Sequence, residues 1–357
     1  MSEQGGEENT FQINDRDVAT HAPPLIIGEI AQAHDGSLGM AHAYIDAVAD
    51  SGAHAVKFQT HIADQESSNK EKWRVKFSRQ DETRQDYWRR MEFSPAQWAN
   101  LKSHAEKRGL IFLSSAFSRA AVDLLSNIGM PAWKIASGEV NNECLMEYML
   151  ATRKPILLSS GMSTLPELDS AVGRIKEAKC PYAVLQCSSS YPTDTSTLGL
   201  NLIDEFADRF NCPVGLSDHS GTIYPSLGAI ALGASLIEIH VTFDKKMFGP
   251  DVESSITLKE LSQVVQGSHI LFEARRSPVN KNISVSCLKE MRSNFQQSLI
   301  VVSDMAKGSK LTRENLDTRK PCVGIPANEF NATIGRRINK GIKAGEFILH
   351  SDLDPVQ

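Results

Sequence analysis

VGLSDHSG (214–221) and LIEIHVTF (236–243) decide how this chain is read. In each, a short apolar run ends in a polar cluster that carries a histidine, His219 in the first and His240 in the second. The stretch between them, Ile223 to Gly233, reads as a helix. Strand, helix, strand is the parallel crossover unit, and parallel neighbours end at the same edge of one sheet. Two neutral imidazoles brought together at such an edge suit a divalent metal, Zn²⁺ or Mn²⁺. The competing reading is one buried histidine bonded to a backbone carbonyl and a second at the surface.

Working outward, the same unit recurs. LIIGEIA, HAVKFQT, LIFLSSA, AWKIASG, PILLSSG and YAVLQCS precede PVGLSDH and LIEIHVT, with helix-period stretches between them. From Ala41 to Ala49 the apolar residues Ala41, Tyr44, Ile45, Val48 and Ala49 fall on one face. Ser94 before Pro95 and Thr164 before Pro166 and Glu167 are helix-start signatures, predicting helices to Lys107 and Ala178. Eight strands each followed by a helix predict a (β/α)8 barrel, with a doubly wound open sheet as the alternative. No GxGxxG follows the first strand, which favours the barrel.

Barrel chemistry resides at the C-terminal strand ends. Here those ends are polar: Glu29, Lys57, Gln59, Ser115, Lys134, Ser137, Glu139, Ser189, Tyr191 and Ser217 accompany the two histidines. Two lysines among hydroxyls predict an anion site, since ammonium and hydroxyl donors hold phosphate well.

With 357 residues the chain has room for one large domain and a small one. A formal net charge of −5 gives no reason to expect nucleic-acid binding. No apolar run reaches membrane-spanning length. Six scattered cysteines without a CxxC pair suit reduced thiols in the cytoplasm. The polar, acidic start lacks a signal-peptide pattern, and residues 1–22 read as a mobile tail or a dimer-contact arm. The charged stretch 65–91 interrupts the barrel rhythm and reads as a solvated helix pair, with Trp73 and Tyr87 as the residues a lid would use. The barrel is predicted over 23–280. Over 281–357, DMAKGSKLTRENL and GIKAGEFILHSDL repeat one phrase around Gly308 and Gly345, predicting a compact, irregular β module whose small core calls for a partner surface.

Together, EIAQAHDGSL, AVKFQT, WKIASGE, SSGM, CSSSYPT, GLSDHSG, EIHVTFD and GPDVESS, in this order, resemble the sialic acid synthase family. These enzymes condense phosphoenolpyruvate with an N-acyl amino sugar. The resemblance implies a TIM barrel followed by an antifreeze-like (SAF) module. It implies that Lys57, Lys134, Ser115 and Ser137, with Ser189 and Ser217, bind phosphoenolpyruvate. It implies that His219 and His240 hold Mn²⁺, and that Glu29, Gln59, Glu139, Tyr191 and Asp251 lie near the acceptor sugar or the attacking water. It further implies a domain-swapped homodimer whose SAF module presents an arginine, from a KRP phrase, to the N-acyl group. This chain has RKP, so Arg319 and Lys320 are the candidates. STPF is replaced by SSAF, an expected Asn by Ser189, and an expected His by Val252. The alternatives are another phosphoenolpyruvate-dependent synthase, of the sialate 9-phosphate or octulosonate type, or a non-catalytic paralogue.

Overall fold

A computed structural model of the chain describes residues 10–73 and 75–355. The chain divides into two compact units between Ser277 and Pro278.

The first unit opens with an antiparallel hairpin, β1 (Phe11–Ile13) and β2 (Arg16–Val18). Eight strands follow: β3 (Leu25–Ala31), β4 (Ala55–Thr60), β5 (Ile111–Ala116), β6 (Trp133–Ile135), β7 (Ile156–Ser159), β8 (Tyr182–Cys187), β9 (Val214–Asp218) and β10 (Leu236–Thr242). They pair in parallel in chain order, and β10 returns to β3, with Leu236 opposite Leu25 and His240 opposite Glu29. The sheet is thus a closed (β/α)8 barrel. Helix α1 (Leu38–Asp50) follows β3, and α2 (Ala63–Glu66), α3 (Arg84–Met91) and α4 (Pro95–Lys107) follow β4. The remaining barrel helices are α5 (Arg119–Asn127), α6 (Glu143–Leu150), α7 (Leu165–Glu177), α8 (Leu202–Phe210), α9 (Tyr224–Leu232) and α10 (Leu258–Arg276). Capping boxes form at Ser94/Gln97 and Thr164/Glu167, each with proline in the first turn.

Strand side chains alternate between two environments, as a period of two requires. Ile26, Ile30, Val56, Phe58, Phe112, Trp133, Val184 and Ile239 point outward and pack against the helices. Leu25, Ile27, Ala55, Ile111, Leu113, Ala132, Leu157, Ala183, Leu185 and Leu236 point inward and fill the N-terminal half of the barrel. Ile13 and Val18 of the hairpin belong to that inner cluster and are fully buried. Residues 11–18 are therefore a plug in the barrel floor rather than a mobile tail. Residues 1–9 lie outside the described ones.

The 65–91 stretch also departs from expectation. It is not a solvated helix pair, because the described residues between α2 and α3 are not helical, and Tyr87 and Met91 are buried. Trp73, Phe77, Tyr87 and Phe248 pack ring against ring. Tyr87 is thus a packing residue. Among the described residues, no helix is long and apolar enough to cross a membrane. All six cysteines are free.

The second unit is built on an antiparallel pair, Ser298–Val301 with Leu316–Arg319, extended by isolated bridges such as Ile300 to Phe347 and Met305 to Ile342. Leu299, Val301, Leu311, Ile325, Ile338 and Ile348 form its small core. Gly308 and Gly345 take φ of 84° and 80°, the left-handed geometry that their turns require.

The plug predicts a separation of stability from chemistry. Ile13→Ala should destabilise the barrel by about 2–5 kcal/mol in chemical denaturation, leaving ligand binding at the opposite end intact. An unchanged midpoint would contradict the packing account.

Candidate active site

Following each inward column towards the C-terminal end, the apolar residues give way to polar ones. On β3, Leu25 and Ile27 are followed by Glu29; on β4, Ala55 is followed by Lys57 and Gln59. Ser115, Lys134, Ser159, Cys187, Ser217, Glu238 and His240 continue the same layer on the other strands, and all are buried. The register sets Lys57 beside Glu29, Gln59 beside Ser115, Ser115 beside Lys134 and Glu238 beside Ser217.

Four charged side chains meet at the centre. Lys57 Nζ lies 2.9 Å from Glu29 Oε2 and 3.7 Å from Glu238 Oε1, and donates to Ser115 Oγ at 3.3 Å. Lys134 Nζ donates to Ser159 Oγ at 2.5 Å and lies 3.8 Å from Glu238 Oε1. Gln59 Nε2 donates to Glu29 Oε1 at 2.9 Å, and Ser217 Oγ to Glu238 Oε1 at 3.2 Å. Burial alone would depress Lys57, but Glu238 and Glu29 outweigh it and hold its pKa above the ordinary lysine value. Burial lowers that of Lys134, which Glu238 offsets only in part and Lys57 lowers further. Burial would raise Glu238, but Lys134, Lys57 and His240 hold it below the ordinary value.

Glu238 was missed from the sequence. The signal was present, since in LIEIH it stands two residues before His240 and so on the same inward face.

Three strand-end loops converge beside Lys134. Ser137 Oγ donates to Cys187 Sγ at 3.3 Å, and Ser189 Oγ is buried without a partner. Both face Gly161, where a methyl group would sit 2.4 Å from Ser189 Oγ and 2.6 Å from Ser137 Oγ. A bare backbone and two hydroxyls form a cradle suited to an anion's oxygens.

The histidine rings lie 5.1 Å apart, centroid to centroid. His219 Nδ1 faces Ser188 O at 3.0 Å, which places its proton there and leaves the Nε2 lone pair facing Tyr191 Oη at 3.0 Å. Burial, then His240, holds the pKa of His219 well below the ordinary value, so the ring is neutral. His240 Nδ1 is buried without a hydrogen-bond partner. Two buried imidazoles, one fixed in tautomer by a backbone carbonyl and one with an orphan nitrogen, fit a divalent cation. Among the described residues, no third His, Cys, Asp or Glu completes a protein-only cage.

Glu139 ends a turn of 3-10 helix, Ser137–Glu139, and accepts from Asn142 Nδ2 at 2.7 Å. Burial raises its pKa, and nearby Glu66 adds to the rise. Glu139 and Gln59 line a cavity of about 270 Å³ beneath the β4 loop. Asp251 precedes a 3-10 turn in the loop after β10. Arg319 and Lys320 belong to the second unit: Arg319 Nη1 donates to Gly345 O at 3.4 Å, and Lys320 Nζ lies 5.3 Å from the Phe295 ring centroid.

Residues 44–279 match the model of the NeuB family, and residues 296–354 that of the SAF domain. The chain is 33% identical over 331 residues to N,N'-diacetyllegionaminic acid synthase of Campylobacter jejuni, covering 91% of this chain and 98% of that one. It is 31% identical over 332 residues to pseudaminic acid synthase of the same species, covering 92% and 96%. The crystal structure of N-acetylneuraminic acid synthetase from Leptospira borgpetersenii superposes with a TM-score of 0.70 at 28% identity, over 80% of this chain and 97% of that one. By its barrel, its SAF domain and these matches, the chain belongs to the NeuB family, the sialic acid synthase family its motifs resemble.

Proposed function

We propose that this protein condenses phosphoenolpyruvate with an N-acyl amino sugar to a nine-carbon 2-keto-3-deoxy sugar acid, releasing inorganic phosphate. The acceptor is N-acetylmannosamine or a 2,4-diacetamido-trideoxy relative. One observation carries the reading: two buried lysines and a serine cradle share one barrel mouth with a pair of buried histidines.

Phosphoenolpyruvate brings a carboxylate and a phosphate. Lys57 and Lys134, with the hydroxyls of Ser115, Ser137, Ser189 and Ser217, offer cations and donors for both. The anionic ligand would compete with Glu29 and Glu238 for the lysines, and its charge would favour the protonated form of Lys134, which burial disfavours. A divalent metal, which we expect to be Mn²⁺, would be held by His219 and His240 and would supply Lewis acidity at the aldehyde oxygen of the open-chain sugar.

Carbon 3 of phosphoenolpyruvate forms the new bond to the aldehyde carbon, and the aldehyde oxygen takes up a proton. Water adds at carbon 2, losing its own proton, and the resulting tetrahedral centre expels phosphate by C–O cleavage. Glu29, held by Gln59 on one side and Lys57 on the other, is oriented to position that water or accept its proton. Glu139, its pKa raised by burial, is the second carboxyl group offered for proton transfer. Tyr191 and Asp251 are assigned to the acceptor side. In a domain-swapped homodimer, Arg319 or Lys320 of the other copy would meet the N-acyl group. A biosynthetic enzyme of this kind would work in the cytoplasm.

Phosphate release from phosphoenolpyruvate with Mn²⁺ should be supported by N-acetylmannosamine or by 2,4-diacetamido-2,4,6-trideoxymannose. Silence with both, or turnover only with a phosphorylated sugar, contradicts the reading. Gly161→Ala, which drives a methyl group into the serine cradle, should weaken phosphoenolpyruvate binding at least about tenfold in calorimetry, in a protein that stays folded at an overpacking cost of about 1–3 kcal/mol; unaltered affinity removes the cradle from the site. In His219→Ala and His240→Ala, titration followed by the resonance of free Mn²⁺ should show loss of the bound ion. Retained binding in both places the metal elsewhere.

A further inference from the structure

On the outside of the barrel, helices α1 and α4 bring a second pair of histidines together. On α1 the buried stripe is Ala41, Tyr44, Ile45 and Val48, and His42 and Asp46, four residues apart, share one edge of it. On α4, Trp98, Leu101 and Ala105 are buried, and His104 borders them. The two imidazoles stack across the seam with centroids 4.7 Å apart and planes 26° apart, and their Nδ1 atoms lie 2.6 Å from each other. Both rings are only partly buried, so the seam is open to solvent.

Asp46 Oδ1 lies 2.8 Å from His104 Nε2 and 3.0 Å from Arg108 Nε. The carboxylate fixes the tautomer of His104: Nε2 carries the proton and donates to Asp46, and Nδ1 keeps its lone pair. His42 Nδ1–H then donates to that lone pair. A carboxylate on one ring nitrogen with the other left to ligate is the arrangement that orients metal-binding histidines. Partial burial and then His104 hold the pKa of His42 below the ordinary value, with Asp46 opposing, so the ring is neutral at pH 7, the form that ligates. Nitrogen ligands at about 2.0–2.1 Å from a tetrahedral ion stand about 3.3 Å apart, so the rings need to part by less than about 1 Å. Among the described residues no third His, Cys, Asp or Glu joins them as a ligand, which leaves the remaining positions to water.

We propose that His42 Nδ1 and His104 Nδ1 form a binding site for a transition-metal cation of the Zn²⁺ class, separate from the pair at the barrel mouth, with Asp46 as the residue that orients His104. Binding moves the His42 proton from Nδ1 to Nε2 and releases none. The ion ties α1 to α4 only where the two helices are packed, and therefore stabilises the folded barrel by linkage.

The test uses the full-length protein. Calorimetric Zn²⁺ titration compares the unaltered protein with His42→Ala, His104→Ala and Asp46→Ala, and each is unfolded in urea with Zn²⁺ or with a chelator. The unaltered protein should bind about one equivalent more than either histidine variant, both of which leave the mouth pair in place. Asp46→Ala should weaken that equivalent at least about tenfold. Zn²⁺ should raise the urea midpoint further in the unaltered protein than in the histidine variants. His42→Gln, which keeps a donor towards His104 but lacks the imidazole, replaces His42→Ala if the latter does not fold. Equal Zn²⁺ stoichiometry in the unaltered protein and the histidine variants, an equal midpoint shift in all of them, or full affinity in Asp46→Ala overturns the proposal.

Discussion

Lys57, Lys134, Glu29 and Glu238 must neutralise one another inside a barrel that excludes water, and the rest of the active end is arranged around that requirement. An isolated buried charge is costly, and removing one partner of a buried pair typically destabilises by about 3–5 kcal/mol. Here parallel register sets Lys57 beside Glu29, and Glu238 lies within 4 Å of both lysines across the barrel. Such a centre is balanced without a ligand. An anion that displaces a carboxylate from a lysine keeps the lysine's charge matched, and it frees the carboxylate to act on water. The same four groups therefore satisfy folding in one state and prepare the chemistry in the other.

That arrangement is affordable because stability is concentrated at the other end. The inward columns of the strands begin apolar and end polar, and the hairpin carrying Ile13 and Val18 seals the apolar floor. The outward columns, covered by the crossover helices, supply most of the core. The C-terminal ends are left to position lysines, hydroxyls and imidazoles on rigid strands, and the loops beyond them, above all the insertion after β4, shape what can approach.

Most of this was legible in the chain. The eight apolar runs and their caps carried the barrel, because period-two and period-3.6 patterns report burial directly. Lys57, Lys134, His219 and His240 stood out as polar residues ending apolar strands. Glu238 did not, since a lone carboxylate inside an apolar strand resembles an error in the pattern until its place across the barrel from Lys57 and Lys134 is seen. The plug was hidden for another reason: MSEQGGEENTFQINDRD looks like an ordinary polar, acidic leader, and nothing local says that Val18 and Ile13 pack into a barrel floor formed by residues far along the chain. The 65–91 stretch misled through composition, its dense charge concealing the buried Tyr87 and the stack of His61, Trp88 and Phe117, which depends on long-range contacts.

The most direct test of the central claim follows the bridging oxygen of phosphoenolpyruvate. With ¹⁸O in the C–O–P bridge, Mn²⁺ and an unphosphorylated N-acyl amino sugar acceptor, ³¹P resonance should show the released phosphate carrying the label. Label in the phosphate together with formation of the sugar acid means that water attacked carbon 2 and that the C–O bond broke. Unlabelled phosphate would mean cleavage at phosphorus, and the charged centre would then serve phosphoryl transfer or hydrolysis rather than condensation.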